Sequence, residues 1–349
     1  MCMKINVSKQ ERNKILKLII EKNMNICAAE DLFNYCFYST ENRITNHLDG
    51  IKEFLDLDLS DKENEYYYLS RIEPAFKKLD EDKYVNNYYR QNINPTPFKS
   101  KEYQLTYLTF SPYHCFPYDD IAVKDNYVEV SRIGYFEKDY KYLAVLKNDV
   151  VWMSTDPNEI NTMRDSISEA KGKVVAFGLG LGYFPIMAAV KDEVEEVVII
   201  EKDQTIIDIF KKHILPLFEK KEKIKIIKDD AFNYLNKMKD NDVDYLFIDI
   251  WHNPEDGLPL YLKFKKMLKN RKVKVSYWLE KSILAMLRRC VLTIVEEGLE
   301  GYDDHNYQKA GNKYDKLIND LYFKTKEITI ASYEDLVKIL QDNELQKLI

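Results

Sequence analysis

Apolar positions along the chain follow a helical spacing first, an alternating one next, and blocks of strand and helix after that. Over the first hundred residues the period is helical. Ser8-Lys9-Gln10-Glu11 has the form of a capping box, and Ile15, Leu16, Leu18, Ile19 and Ile20 supply an apolar face behind it. Further helices are predicted over 28–38, 43–55 and 61–79. Asn94-Pro95-Thr96-Pro97 cannot continue a helix and marks a change of texture. Beyond it, residues 103–110, 127–133, 142–146 and 150–153 read as short strands rich in Tyr, Val and Thr. Lys147-Asn148-Asp149 supplies a hairpin turn between the last two. Thr155-Asp156-Pro157 then opens a helix, with proline at its first position, and Lys171-Gly172 stops it.

From Lys173 the pattern becomes strand, helix, strand. Continuous apolar runs at 174–177, 197–200, 224–227, 245–248 and 273–277 are separated by amphipathic segments at 183–190, 204–218, 232–238 and 260–269. Apolar strands of this kind are buried on both faces, so an α/β fold with a mostly parallel sheet and helices on both sides is expected. Residues 280–297 read as a long helix and 328–330 as one more strand. The expected organisation is a helical and then β-rich N-terminal region over 1–155. An α/β domain with a helical C-terminal extension follows over 156–349.

Composition narrows the function without naming it. The chain has 349 residues, 45% hydrophobic and 32% charged, with a net charge of −6. A folded protein is expected, and the acidic balance argues against a dedicated nucleic-acid binder. Cys2, Cys27, Cys36, Cys115 and Cys290 are dispersed without a Cys-x-x-Cys pair, as are His47, His114, His213, His252 and His305. No metal site is read from them, and the cysteines imply reduced thiols and a cytoplasmic location. No apolar run approaches the roughly 20 residues a membrane span needs, and the N-terminus lacks a secretory signal. The clusters Tyr66-Tyr67-Tyr68 and Tyr88-Tyr89 are read as packing residues before a stacking surface for a ligand.

The chemistry gathers at Gly178-Leu179-Gly180-Leu181-Gly182, between a buried strand and the helix that begins at Tyr183. A strand, a glycine turn and a helix N-terminus let backbone approach a ligand closely. Glu201 ends the next strand, where an acidic side chain takes the two hydroxyls of a ribose. A dinucleotide loop would have its third glycine at 183, where Tyr183 stands. Glycines at 178, 180 and 182 instead make a loop that resembles that of the class I, Rossmann-like methyltransferases that use S-adenosylmethionine (SAM). Asp229-Asp230-Ala231 after the third strand and Asp249 at the end of the fourth extend the resemblance, which covers roughly residues 156–280. It implies SAM as cofactor. Gly178, Leu179, Gly180, Gly182 and Tyr183 would lie on the methionine and ribose side, Glu201 and Lys202 at the ribose, Asp230 and Ala231 at the adenine, and Asp249 facing the donor. Two departures stand out. Phe177 replaces the acidic residue that often precedes the first glycine, and no antiparallel hairpin follows 273–277.

Ligands of open α/β sheets sit beyond the carboxyl ends of the strands. Asp249 and His252 are therefore the candidates to accept a proton, and Trp251, Trp278 and Glu280 the candidates to form a substrate pocket. For Trp251 and His252 plain packing is an equally simple account, and for Trp278 and Glu280 it is the preferred one. Asp249-Ile250-Trp251-His252 lacks the Asn/Asp-Pro-Pro-Tyr/Phe turn of nucleic-acid amino-methyltransferases. The first functional reading is methyl transfer from SAM to an acceptor, a small molecule before a protein. The aminopropyltransferases, exemplified by spermidine synthase, share the nucleotide loop, use decarboxylated SAM and place a β-rich segment before the sheet. Transfer of an aminopropyl group to a polyamine is thus the alternative, and a non-catalytic SAM-binding protein is a third reading. An acidic acceptor pocket favours the polyamine, and a neutral aromatic one favours methylation. The terminal helices are read as a lid or as a homodimer interface.

Overall fold

The computed structural model describes residues 3–239, 242–301 and 313–348. Cys2 and His305 lie outside them. The first two predicted helices are one, α1 (Lys9–Glu41), because no Gly or Pro interrupts the run. Ser8 caps it by accepting from the Glu11 amide (3.2 Å). The Glu11 carboxylate does not close the box. It accepts from Lys14 Nζ (2.8 Å) and from the Tyr333 amide (2.7 Å), tying the start of α1 to the C-terminal region. Of the next predicted helix only His47–Phe54 forms. The fourth is α-helical over Lys62–Tyr67, widens to a π turn over Tyr68–Ile72, tightens to a 3-10 turn at Glu73–Ala75 around Pro74, and gives way to a short strand, Phe76–Lys78.

In the β-rich stretch, β1 (Tyr103–Phe110) and β2 (Tyr140–Lys147) pair antiparallel throughout, from Tyr103 opposite Lys147 to Phe110 opposite Tyr140. Asn148 and Asp149 both take left-handed φ, 52° and 62°, and lead into β3 (Val150–Ser154). The strand predicted over 127–133 is broken, since Asn126 and Tyr127 also take left-handed φ (56° and 59°). Only Glu129–Val130 and Ile133–Tyr135 are extended there, and they pair with different partners. Asp156 then caps α2 (Pro157–Thr162), and a second short helix, Arg164–Glu169, completes the predicted span.

The α/β alternation follows: β4 (Gly172–Phe177), α3 (Tyr183–Val190), β5 (Val194–Glu201), α4 (Gln204–Ile209), β6 (Ile224–Lys228), α5 (Ala231–Lys237), β7 (Tyr245–Ile248), α6 (Pro254–Leu268) and β8 (Lys274–Tyr277). The five strands are all parallel, in the order β6-β5-β4-β7-β8. This is a Rossmann-like α/β fold. The chain winds outward from β4 to β6, then crosses back to β7, so the loops after β4 and β7 diverge and leave a crevice between them. Helix α6 starts earlier than its apolar pattern suggests, because Asn253 and Asp256 form a full capping box ahead of it. Among the described residues β8 ends the sheet. Leu279, at φ 54°, turns the chain straight into α7 (Glu280–Glu300).

One buried cluster joins Ile15, Leu105, Val145 and Ile160 to Val175, Ile199, Leu246 and Ile294. The N-terminal region and the parallel sheet therefore share a core. A separate cluster around Tyr35, Ile51, Ile72 and Cys115 fills the N-terminal helices. The short strands Lys4–Ile5 and Thr329–Ile330 pair in parallel, so the two ends of the chain meet. Among the described residues, no helix is long and apolar enough to cross a membrane.

Candidate functional site

The crevice begins where β4 ends. The Gly178 amide donates to the Ile200 carbonyl of β5 (3.0 Å), and its φ is +97°. A Cβ here would lie 1.9 Å from the carbonyl oxygen of Asp249, so only glycine lets the loops after β4 and β7 come this close. Gly182 is packed in the same way, with an added Cβ 2.2 Å from the Phe210 ring. Gly180 is different. Its φ is +53°, and an added Cβ would meet nothing within 4 Å. Two of the glycines lock the loop, and the third leaves bare backbone facing open space.

The loop is held on both sides. Glu201 accepts from the Leu179 amide through Oε2 (3.2 Å) and from the Asp203 amide through Oε1 (2.8 Å). From the N-terminal region, the buried Tyr89 hydroxyl donates to the Leu181 carbonyl (2.6 Å), and its ring packs on Tyr183. The Tyr88-Tyr89 cluster is thus partly a buttress for the loop.

A cavity of about 560 Å³ lies across the carboxyl ends of the strands. That is the size of an ordinary small-molecule site. Gly178, Leu179, Gly180, Tyr183, Glu201, Lys202, Asp230, Ala231, Asp249, Trp251, His252 and Trp278 all line it. Gly182 stands behind, as the cap of α3. Asp230 caps α5 through Oδ1, accepting from the Phe232 (2.9 Å) and Asn233 (3.1 Å) amides. The sequence did not point to the wall that closes the cavity from the N-terminal side, made by Val151–Ser154, Glu159 and Met163. Its local cause is legible: Asp156 accepts from the Asn158 and Glu159 amides and fixes the first turn of α2. Its placement over the sheet depends on how the β2–β3 hairpin docks.

Asp249 and Glu159 share this cavity. Burial, and then the charge of Glu201, push the Asp249 carboxyl up to about 7. Burial, followed by the charges of Asp249 and Asp156, pushes Glu159 well above the usual carboxylate range. Neither side chain has a hydrogen-bond or ion-pair partner among the described residues. Among the described residues, Lys202 is the sole Lys or Arg lining the cavity, and it follows directly on Glu201. Among the described residues no group of three or more His, Cys, Asp or Glu has metal-binding geometry.

The tryptophans are anchored walls. Trp251 Nε1 donates to the Trp278 carbonyl (3.2 Å), and Gly257 makes room for the Trp251 ring. Trp278 Nε1 donates to Thr162 Oγ1 (2.9 Å), joining the sheet to α2. His252 is exposed at the rim, with Nδ1 3.2 Å from Asp256 Oδ2 and its ring 4.5 Å from that of Trp152 on β3. Glu280, expected in the substrate pocket, is not there. The left-handed turn at Leu279 makes it the first residue of α7, where it accepts from the Tyr261 hydroxyl (2.7 Å) and lies 3.7 Å from Lys265.

No family model matches the chain, and no curated protein does. Solved structures similar to it include spermidine synthase from Thermotoga maritima, at 16% identity and a TM-score of 0.32 over 43% of this chain and 59% of that one. Another is spermidine synthase in complex with the transition-state analogue AdoDATO, at 16% identity and 0.31, over 43% of this chain and 58% of that one. The chain spans less than two thirds of either. Its fold assignment stands on the strand order itself.

Proposed function

We propose that the cavity binds an adenosyl sulfonium nucleoside and that the protein transfers an alkyl group from it to an amine nitrogen. Aminopropyl transfer from decarboxylated SAM to a polyamine is the form the site favours. The observation that carries this is an excess of acidity: Glu159, Asp249 and Glu201 line one cavity whose sole Lys or Arg, among the described residues, is Lys202. Such a wall attracts ammonium and sulfonium groups and repels a carboxylate. SAM carries a carboxylate on its methionine part, and the decarboxylated donor does not. The nucleoside half fits the bare backbone at Gly180, where nothing of the protein stands within 4 Å of an added Cβ. The roles of Glu201 at the ribose and Asp230 at the adenine come from the family resemblance.

The bound sulfonium supplies an electrophilic carbon and a neutral thioether leaving group. The protein does the rest. Trp251 and Trp278, both buried, keep water from the reacting centre. Asp249, with its carboxyl near neutrality, takes the proton that the acceptor ammonium must lose before its lone pair can attack. The C–N bond forms as the C–S bond breaks, and the bonding pair goes to sulfur.

Methyl transfer from SAM to the same amine would use the same residues. The aromatic wall of Trp152, Trp251 and Trp278, able to hold a cation over its rings, is the observation that favours it. Calorimetric titration with SAM, decarboxylated SAM, S-adenosylhomocysteine and NAD separates these readings. Decarboxylated SAM is expected to bind most tightly. Tighter binding of SAM would return the function to methylation, and NAD binding without either sulfonium would sink both.

A further inference from the structure

Glu159 is the one cavity carboxylate that the parallel sheet does not supply. It sits in the first turn of α2, soon after β3, and lines the cavity from the N-terminal region. Its backbone is fixed from two directions. Pro157 occupies the first helical position, and Asp156 accepts from the Glu159 amide (3.1 Å). Further along the same helix, Thr162 accepts from Trp278 Nε1 and pins α2 to the end of β8. A carboxylate held this firmly is ordinarily paired, yet Glu159 has no hydrogen-bond or ion-pair partner among the described residues. Its nearest charged neighbours, Asp249 and Asp156, are both acidic. A buried carboxyl without a partner gains one when a cation enters the cavity.

Two cations are available to it under the proposed function: the ammonium on the donor's alkyl chain and the acceptor amine. Asp249 adjoins the glycine loop, through the close approach of its carbonyl to Gly178, and serves the amine that must lose a proton. Of the other carboxylates that line the cavity, Glu201, Asp203, Asp229 and Asp230 already accept from backbone amides, so Glu159 is the unpaired one left to face the donor's own chain. We propose that Glu159 reads the charge on the donor's sulfur substituent, pairing with an ammonium and turning away a carboxylate, and is therefore the residue that separates decarboxylated SAM from SAM. This rests on the sulfonium-binding reading given above, and it assigns donor choice to a residue outside the nucleotide-binding sheet.

The test is equilibrium binding by calorimetry of three nucleosides to the wild type, Glu159→Gln and Glu159→Asp: decarboxylated SAM, SAM and 5′-methylthioadenosine, which has neither ammonium nor carboxylate. The wild type should prefer decarboxylated SAM. Glu159→Gln should shrink that preference at least tenfold, about 1.4 kcal/mol, and leave methylthioadenosine affinity unchanged. Glu159→Asp, which keeps the charge, should retain most of the preference. If both sulfonium ligands shift by the same factor in Glu159→Gln, or neither shifts, Glu159 does not set donor choice. Failure of the wild type to bind any of the three would instead overturn the functional reading on which the proposal rests.

Discussion

Asp249 couples two properties that the sequence states separately. It follows a parallel strand beside the glycine loop, and burial, together with the charge of Glu201, pushes its carboxyl up to about 7. If it accepts the proton from the amine, only its ionised form is active, so kcat should rise with pH through about 7 and then level off. Asp249→Asn should lower kcat by about 10² to 10⁴, the usual worth of a general base, while nucleoside binding persists. A pH profile that is flat between 6 and 8 in the wild type would remove Asp249 from this role. The position of Asp249 was legible, because the end of the fourth strand is read directly from the run Tyr245-Leu246-Phe247-Ile248. Its raised pKa was not, since its burial is a product of the tertiary packing, and Glu201, nearly fifty residues away in sequence, comes near it only through the pairing of β5, β4 and β7. Glu280 shows the opposite case. It too comes soon after a strand, but a left-handed φ at Leu279, which no motif announces, makes it the first residue of α7, where it bonds to Tyr261 of α6 instead.

The glycine loop divides its labour between positions, and substitution should separate them. Gly180→Ala places a methyl group in open space, at a left-handed φ that costs roughly 1–2 kcal/mol. The protein should fold with about that loss, measured by denaturant unfolding, and bind nucleoside far more weakly. Gly178→Ala drives a methyl group to 1.9 Å from the Asp249 carbonyl. It should cost more stability than Gly180→Ala, by displacing the loop after β7. Equal losses of stability and equal losses of affinity in the two variants would mean that the loop acts as a unit. The elements around the loop were the most legible part of the chain. Helix Tyr183–Val190 and strand Tyr245–Ile248 fall where the apolar runs end, because continuous burial leaves little choice of boundary. Less legible were 61–79 and 127–133, where Pro74 and the left-handed Asn126 and Tyr127 override a fair local pattern.

Across the molecule, the buried carboxylates make folding depend on pH in an unusual direction. The Asp249 carboxyl rises from an ordinary 3.8 to about 7, and Glu159 and Asp156 are raised as well, burial being the first cause in each. Between about pH 4 and 7 the folded protein therefore holds protons that the unfolded chain has released. Stability must then fall as pH rises through this window and flatten above it. Denaturant unfolding at pH 5 and pH 8 should show this fall in the ligand-free protein, and a shallower one in Asp249→Asn. Identical slopes in the two proteins would mean that Asp249 titrates as an ordinary surface carboxylate.

The order of strands and helices from Lys173 onward, the glycine loop and the acidic strand ends were all determined by the sequence alone. Each rests on local causes: apolar period, backbone freedom at glycine, and the fixed alternation of side chains along a strand. Only the tertiary structure decided what surrounds that loop. Tyr89 reaches it from 92 residues away, Trp152 meets His252 across the rim, and Glu159 brings an unpaired carboxyl group into the cavity from outside the sheet. These depend on the docking of the β2–β3 hairpin and α2 onto a core shared with the sheet. That docking is set by shape and burial between segments far apart in the chain, and no local period records it.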